Sequence, residues 1–220
     1  MVTGLGHTLE ITLVAAVIGI VIGVLIAAVR SSYDKNEETL KLRGGFTYFI
    51  MRILNFICKL YLTVIRGTPV VVQLLITYFI IFAASSNGIA VAIFAFGINS
   101  GAYVAEIFRG GIMSIDEGQF EAGRSIGFNY FQTMRYIILP QMFKAVLPTL
   151  LNEFIALLKE TSVAGYVAVT DLTKAGSSIS ASTYSYYMPL LSVALIYLVI
   201  VMLLTKLVGI LERRLRKNER

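Results

Sequence analysis

Residues 9–29 read LEITLVAAVIGIVIGVLIAAV. The only charge in this run is Glu10, near its start. At 1.5 Å per residue a helix of this length spans about 30 Å, the thickness of a bilayer's hydrocarbon core. Backbone groups in lipid must pair internally, so such a run is a helix rather than an open strand. Four further apolar stretches follow: Phe46–Ala84, Gly88–Phe108, Ile137–Leu158 and Pro189–Val208. The second is interrupted at Arg66-Gly67-Thr68-Pro69, and the fourth contains Pro140 and Pro148. The expected fold class is an all-α integral membrane protein of about five transmembrane helices, with residues 1–220 forming one transmembrane domain. The second stretch is too long for one crossing. Its first half carries Arg52 and Lys59 and is expected at the interface or against the bundle, while its second half crosses. Ser31–Gly45 reads as a polar loop and Glu212–Arg220 as a solvated helix end.

Composition agrees with this reading. Of the 220 residues, 57% are hydrophobic and 15% charged, against about 45–50% and about 25% in soluble domains. Mean hydropathy is +0.78. A soluble enzyme, a disordered chain and a disulfide scaffold are excluded. The single cysteine, Cys58, cannot form a disulfide within the chain, and the single histidine, His7, cannot complete a zinc site with it. No metal ligands are therefore assigned. No Gly-x-x-x-x-Gly-Lys-Ser/Thr loop occurs, so the chain lacks a P-loop ATPase site. The first basic residue is Arg30, so the first run lacks a signal peptide's basic head and reads as a retained span. The net charge of +6 is an orientation signal. Thirteen of the 19 basic residues fall in the segments 30–45, 109–136 and 206–220. The positive-inside rule puts these in the cytoplasm, the N-terminus outside and the C-terminus inside.

The segment 114–136 is too polar to span and too patterned for a linker. Asp116 can cap a short helix, with Gln119 as a capping-box partner. Phe120, Gly123, Gly127 and Phe131 recur at three- and four-residue spacing, and Gly127 permits a sharp turn. Two short helices joined at a bend are expected, the kind of surface that fills a partner's groove. Glu121-Ala122-Gly123, then Gly127, then Ile137 and Leu139-Pro140, is similar to the EAA loop of the membrane subunits of ATP-binding cassette importers. The family's usual third residue is Ala, and here it is Gly123. Arg66-Gly67-Thr68-Pro69 with Val72-Gln73-Leu74, Tyr103-Val104-Ala105-Glu106 with Arg109-Gly110-Gly111-Ile112, Gly118-Gln119, Lys159-Glu160-Thr161-Ser162 and Asp171-Leu172-Thr173 resemble the polar amino-acid branch. The resemblance is dense from Arg66 to Thr173. It implies a type I importer bundle with a cytoplasmic coupling loop at about 114–136. Glu121, Ala122, Gly123, Arg124 and Gly127 would couple it to the ATPase. It also implies that ATP and Mg are bound by two partner ATPase subunits, with no cofactor in this chain. A second permease subunit, identical or closely related, and an extracytoplasmic amino-acid-binding protein complete the assembly, in a bacterial-type cell membrane. The chain itself is then a transport subunit, not an enzyme.

Candidate substrate residues follow from polarity at membrane depth, where a charge costs roughly 2.5–3.5 kcal/mol at a helix centre on insertion scales. Glu153 lies inside the fourth stretch, with no basic residue at i±3 or i±4. It contacts a ligand, pairs structurally with Arg66 or Lys144, or lies buried and protonated. Asn99, Tyr103 and Glu106 share a face of the third span. Asn99 offers a donor and an acceptor to a ligand, or makes an interhelical hydrogen bond. Glu106 is placed to pair with Arg109. The Pro69 break frees backbone groups where broken helices of transporters meet substrates, with Thr68 as the side-chain contributor, or it is a simple interfacial turn. Thr161 and Ser162 cap the next segment or line a pocket, and Asp171 is a further cap candidate. Tyr184, Tyr186 and Tyr187 read as an interfacial belt. The function expected is an ATP-driven, alternating-access amino-acid permease. An acidic Glu153 favours arginine, lysine or histidine, with glutamine or another polar amino acid as the alternative. An ion-driven secondary transporter is a more distant reading.

Overall fold

The computed structural model describes residues 1–217, and its described residues are almost entirely helical. Helix α1 runs Val2–Arg43, α2 Gly45–Arg66 and α3 Val70–Ile76, the last extended by a π-turn Thr77–Ile81. Then come α4 (Gly88–Met113), α5 (Glu117–Ser125), α6 (Tyr130–Thr133), a π-turn Met134–Ile138, and α7 (Leu139–Glu160). A 3₁₀ segment Thr161–Val167, α8 (Leu172–Thr183) and α9 (Tyr187–Lys217) finish the chain. Five segments are long and apolar enough to cross a membrane: Val2–Lys35, Gly45–Arg66, Gly88–Met113, Tyr130–Val167 and Tyr187–Leu215. The expectation of five spans holds.

Helix α4 is the central element. Its buried residues run from Val91 to Ile112 on nearly all sides, whereas α2 and α9 bury little. It packs parallel to α1. Phe96 meets Ile11 and Ala15 near one end, and Phe108 meets Ala27 near the other. Four glycines let these backbones approach. A methyl at Gly19 would meet Ser100, at Gly97 Ile18, and at Gly101 Ile22, while at Gly23 it would fall 2.5 Å from Val104. Each pair is spaced by four, the small-xxx-small device that replaces hydrophobic driving force inside lipid. Helix α7 packs antiparallel. Met142 and Val146 lie with Phe108 and Ile112, and Leu157 lies with Phe96. Helix α3 closes the Phe96 end of the bundle, where Leu74 is fully buried.

Two boundaries differ from the sequence reading. Ser31–Arg43 is not a loop but the continuation of α1. It contains no Gly or Pro, and i,i+4 pairs brace it: Lys41–Glu37 at 2.7 Å and Arg30–Asp34 at 3.9 Å. The helix stops at Gly44-Gly45, both with positive φ. The second stretch is also reversed from expectation. Its first half, α2, is the length of a span, while the second half is the short α3 and its π-turn. Arg52 and Lys59 do not keep α2 out of a bilayer, because long basic side chains can reach an interface. Residues 218–220 of the basic tail lie outside the described residues. Helix α8 lies in a segment that the hydropathy left unassigned.

Candidate functional site

The Arg66–Pro69 break is an ordered turn. The Gly67 N–H still donates to the Thr63 carbonyl, and Pro69 takes the extended conformation that starts α3. The Thr68 hydroxyl donates to the Val64 carbonyl at 2.8 Å. Gln73, one turn into α3, reaches back over the break. Its Nε2 lies 2.7 Å from the Ile65 carbonyl and 2.8 Å from Thr68 Oγ1, and its Oε1 accepts from Asn99 Nδ2 at 2.9 Å. One amide thus satisfies the groups that Pro69 exposes and ties the break to the middle of α4. Gln73 entered the sequence reading only as a motif letter. Its signal is its position four residues after the proline, where a side chain can replace the missing ladder.

Asn99 and Ser100 are each 2% exposed. Ser100 turns the other way and donates to Glu153 Oε1 on α7 at 3.3 Å, a long bond for a hydroxyl. Among the described residues no Lys or Arg comes within ion-pair distance of Glu153. The alternative pairing of Glu153 with Arg66 is not formed. Arg66 instead lies 3.9 Å from Glu106 and over the Tyr103 ring at 5.6 Å. Glu106 pairs with Arg109 at 3.2 Å, as its spacing predicts.

The six candidate substrate residues therefore fall into three places. Thr68 and Asn99 join through Gln73, and Ser100, beside Asn99, links to Glu153. Tyr103 reaches the break through Arg66. Thr161 and Ser162 sit apart at the end of α7. Thr161 is fully buried and donates to the Leu158 carbonyl, 3.3 Å from Thr12 Oγ1. Ser162 lines a small cleft of about 230 Å³ with Tyr166 and Asp171. Asp171 caps α8, accepting from the Lys174 N–H at 2.9 Å. Burial raises its carboxyl above the usual carboxylate range, partly offset by the backbone N–H groups it accepts from. Tyr184, Tyr186 and Tyr187 are exposed at the start of α9.

The loop forms the two short helices and bend that its spacing predicts. Gly127, at φ +85°, makes the bend. Asp116 caps α5, but through the Gly118 N–H, and the capping box belongs instead to Asn129 and Gln132 on α6. Gly123 is the buried member of the motif, and a methyl there would fall 2.6 Å from Thr133 Oγ1. That contact accounts for Gly rather than Ala at this position. Glu121, Ala122, Arg124 and Gly127 are exposed, as are the large apolar side chains of Ile126 and Phe131. An apolar surface beside a charged helix end is the chemistry of a docking site. Lys35, in the polar extension of α1, lies 3.9 Å over the Phe120 ring and ties the loop to the bundle.

Residues 19–217 match the family model described as the inner membrane component of binding-protein-dependent transport systems. The chain belongs to that family. Members are membrane components of ATP-binding cassette importers, whose ATPase resides in separate subunits. This permease is 36% identical to the arginine transport system permease protein ArtQ of Bacillus subtilis (strain 168), over 98% of this chain and 92% of that one. It is also 36% identical to a glutamine transport system permease protein GlnP of Rickettsia bellii (strain RML369-C), described as putative, with the same coverage. Among solved structures it matches an amino acid ABC transporter crystallised with histidines, at TM-score 0.83 and 37% identity, covering 97% of this permease and 92% of that chain. An inward-facing MetNI methionine transporter shares the fold at TM-score 0.74 and 21% identity, covering 99% and 95%. The fold expectation of a type I importer-like bundle is borne out.

Proposed function

We propose that this permease subunit of an amino-acid importer carries cationic amino acids, and that Glu153 is the group that selects them. The observation behind this is a half-buried carboxylate at membrane depth whose only hydrogen bond among the described residues is the long one from Ser100. A carboxylate without a countercharge favours a ligand that brings one. Asn99, Thr68 and the backbone freed at Pro69 are suited to the ligand's polar groups, held in register by Gln73. Tyr103 lies one turn further along α4. Thr161 and Ser162 are better suited to fixing the end of α7 than to the same contact.

The mechanism is alternating access. The N-terminus lies outside and the loop of α5 and α6 in the cytoplasm. Two ATPase subunits bind ATP and Mg and dock on that loop through Glu121, Ala122, Arg124 and the Gly127 bend, with Gly123 locking α5 to Thr133. Closure of the ATPase pair moves α7 and, through Lys35 and Phe120, α1. A second permease subunit and an extracytoplasmic binding protein complete the importer. Glutamine remains the second reading, supported by the GlnP relative. Equilibrium binding of labelled arginine and glutamine to the purified importer separates the two. Arginine should bind more tightly, and Glu153→Gln should weaken arginine at least about tenfold while sparing glutamine. Equal arginine affinity in both proteins refutes the role given to Glu153.

A further inference from the structure

A second polar cleft, which shares Tyr103 with the candidate substrate residues, lies toward the end of the bundle that carries the α5–α6 loop. A cleft of about 610 Å³ opens there between α1, α2 and α4, lined by Arg30, Lys59, Arg66, Tyr103 and Glu106. Three cations thus face one carboxylate. Glu106 is already committed to Arg109 at 3.2 Å. Asp34 is also taken by Arg109 at 3.2 Å, and Glu37, which acts electrostatically on Lys59, is held by Lys41 at 2.7 Å. Arg66 and Arg30 hold Glu106 and Asp34 only at 3.9 Å, beyond hydrogen-bond range. The Arg30 side chain is only 11% exposed, and its Nε is buried without a hydrogen-bond partner. Counting Arg109 and the Lys41–Glu37 pair, five cations share three acids, which leaves two positive charges without a matching acid.

The depth of the cleft limits what can neutralise it. Arg30 directly follows the apolar run 9–29 and Arg109 directly follows the apolar stretch that ends at Phe108, so both stand at the boundary where hydrocarbon gives way to headgroups. Guanidinium groups recognise phosphate oxygens through paired N–H donors, and Lys adds a point charge. We infer that this cleft is a phosphate-oxyanion site, filled by the headgroup of an anionic phospholipid or by free phosphate. Basic pockets between membrane helices are suited to such headgroups.

The test uses the intact importer, permease with its ATPase subunits, in mixed micelles of phosphatidylglycerol and phosphatidylcholine. Retained lipid is counted by native mass spectrometry. Phosphatidylglycerol should be retained in preference to phosphatidylcholine, and Lys59→Gln and Arg30→Gln should each lower its retention about fivefold. Lys144→Gln, an exposed cation elsewhere on α7, should leave it unchanged. A parallel arm measures binding of inorganic phosphate to the lipid-free importer. Phosphate binding lowered by the same two variants, without a lipid preference, assigns the site to the free ion. Equal retention of both lipids together with no phosphate binding overturns the inference. So does an undiminished signal in both variants.

Discussion

Asn99 and Ser100 are neighbours on α4, yet they serve different helices. Asn99 gives its amide to Gln73 at the break, and Ser100 gives its hydroxyl to Glu153. This fork makes Gln73 the residue whose loss reaches furthest. Gln73→Leu leaves the Asn99 amide and the Ile65 carbonyl without partners, at a cost of about 1–3 kcal/mol for each group that stays buried. The thermal midpoint of the purified permease should fall by several degrees, and Gln73→Glu should recover part of that loss. Asp171 gives a pH signature of definite sign. Burial raises its folded-state value, so its favourable contribution is complete below the unfolded value of about 4 and is lost as pH rises through the folded one. Asp171→Asn keeps the cap and removes the titration. The midpoint of the native protein should decline relative to Asp171→Asn as pH rises above about 4, and a relative increase contradicts the assignment. Glu153, Asn99 and Thr68 stood out as candidates in the sequence because polarity inside an apolar run is conspicuous. Gln73 entered only within a motif, because its reach back over the Pro69 break and across to Asn99 needed the three-dimensional contact.

Among the elements, the α1–α4 pair is the one most sensitive to volume. The backbones meet through Gly19, Gly23, Gly97 and Gly101, and a side chain at Gly23 has the Val104 side chain and the Ala105 N–H in its way. Gly23→Leu should cost about 1–3 kcal/mol through overpacking. Gly6→Leu on the same helix meets open space and should be close to neutral. Similar losses in both variants, measured by thermal unfolding in detergent, contradict close packing at Gly23. Both four-residue glycine spacings stand in the sequence and are a recognised packing signal for apolar helices, so this contact was readable. The extent of α1 was not. Hydropathy stops at the edge of lipid, whereas the helix continues until Gly44 because charged i,i+4 pairs support it in water. The two helices of the loop were legible from their caps and glycines. That Gly123 packs on Thr133, across an intervening turn, needed the three-dimensional contact.

At the scale of the whole molecule, five spans bury α4 well but leave long apolar faces on α2 and α9. Phe56, Ile57, Leu195, Leu198 and Met202 are all exposed. In a bilayer these faces meet lipid or a second permease subunit, consistent with the family's paired membrane components. Hydropathy was enough to predict a membrane protein with five long apolar helices. It does not distinguish which amino acid passes, since 36% identity holds equally to permeases named for arginine and for glutamine. That distinction rests on one carboxylate. It is tested most directly by ATP-driven uptake into proteoliposomes carrying the complete importer and its binding protein, with arginine and glutamine labelled separately. Uptake of arginine should exceed that of glutamine, and Glu153→Gln should cut arginine uptake at least about tenfold with ATPase coupling retained. Arginine uptake unchanged by Glu153→Gln contradicts the account.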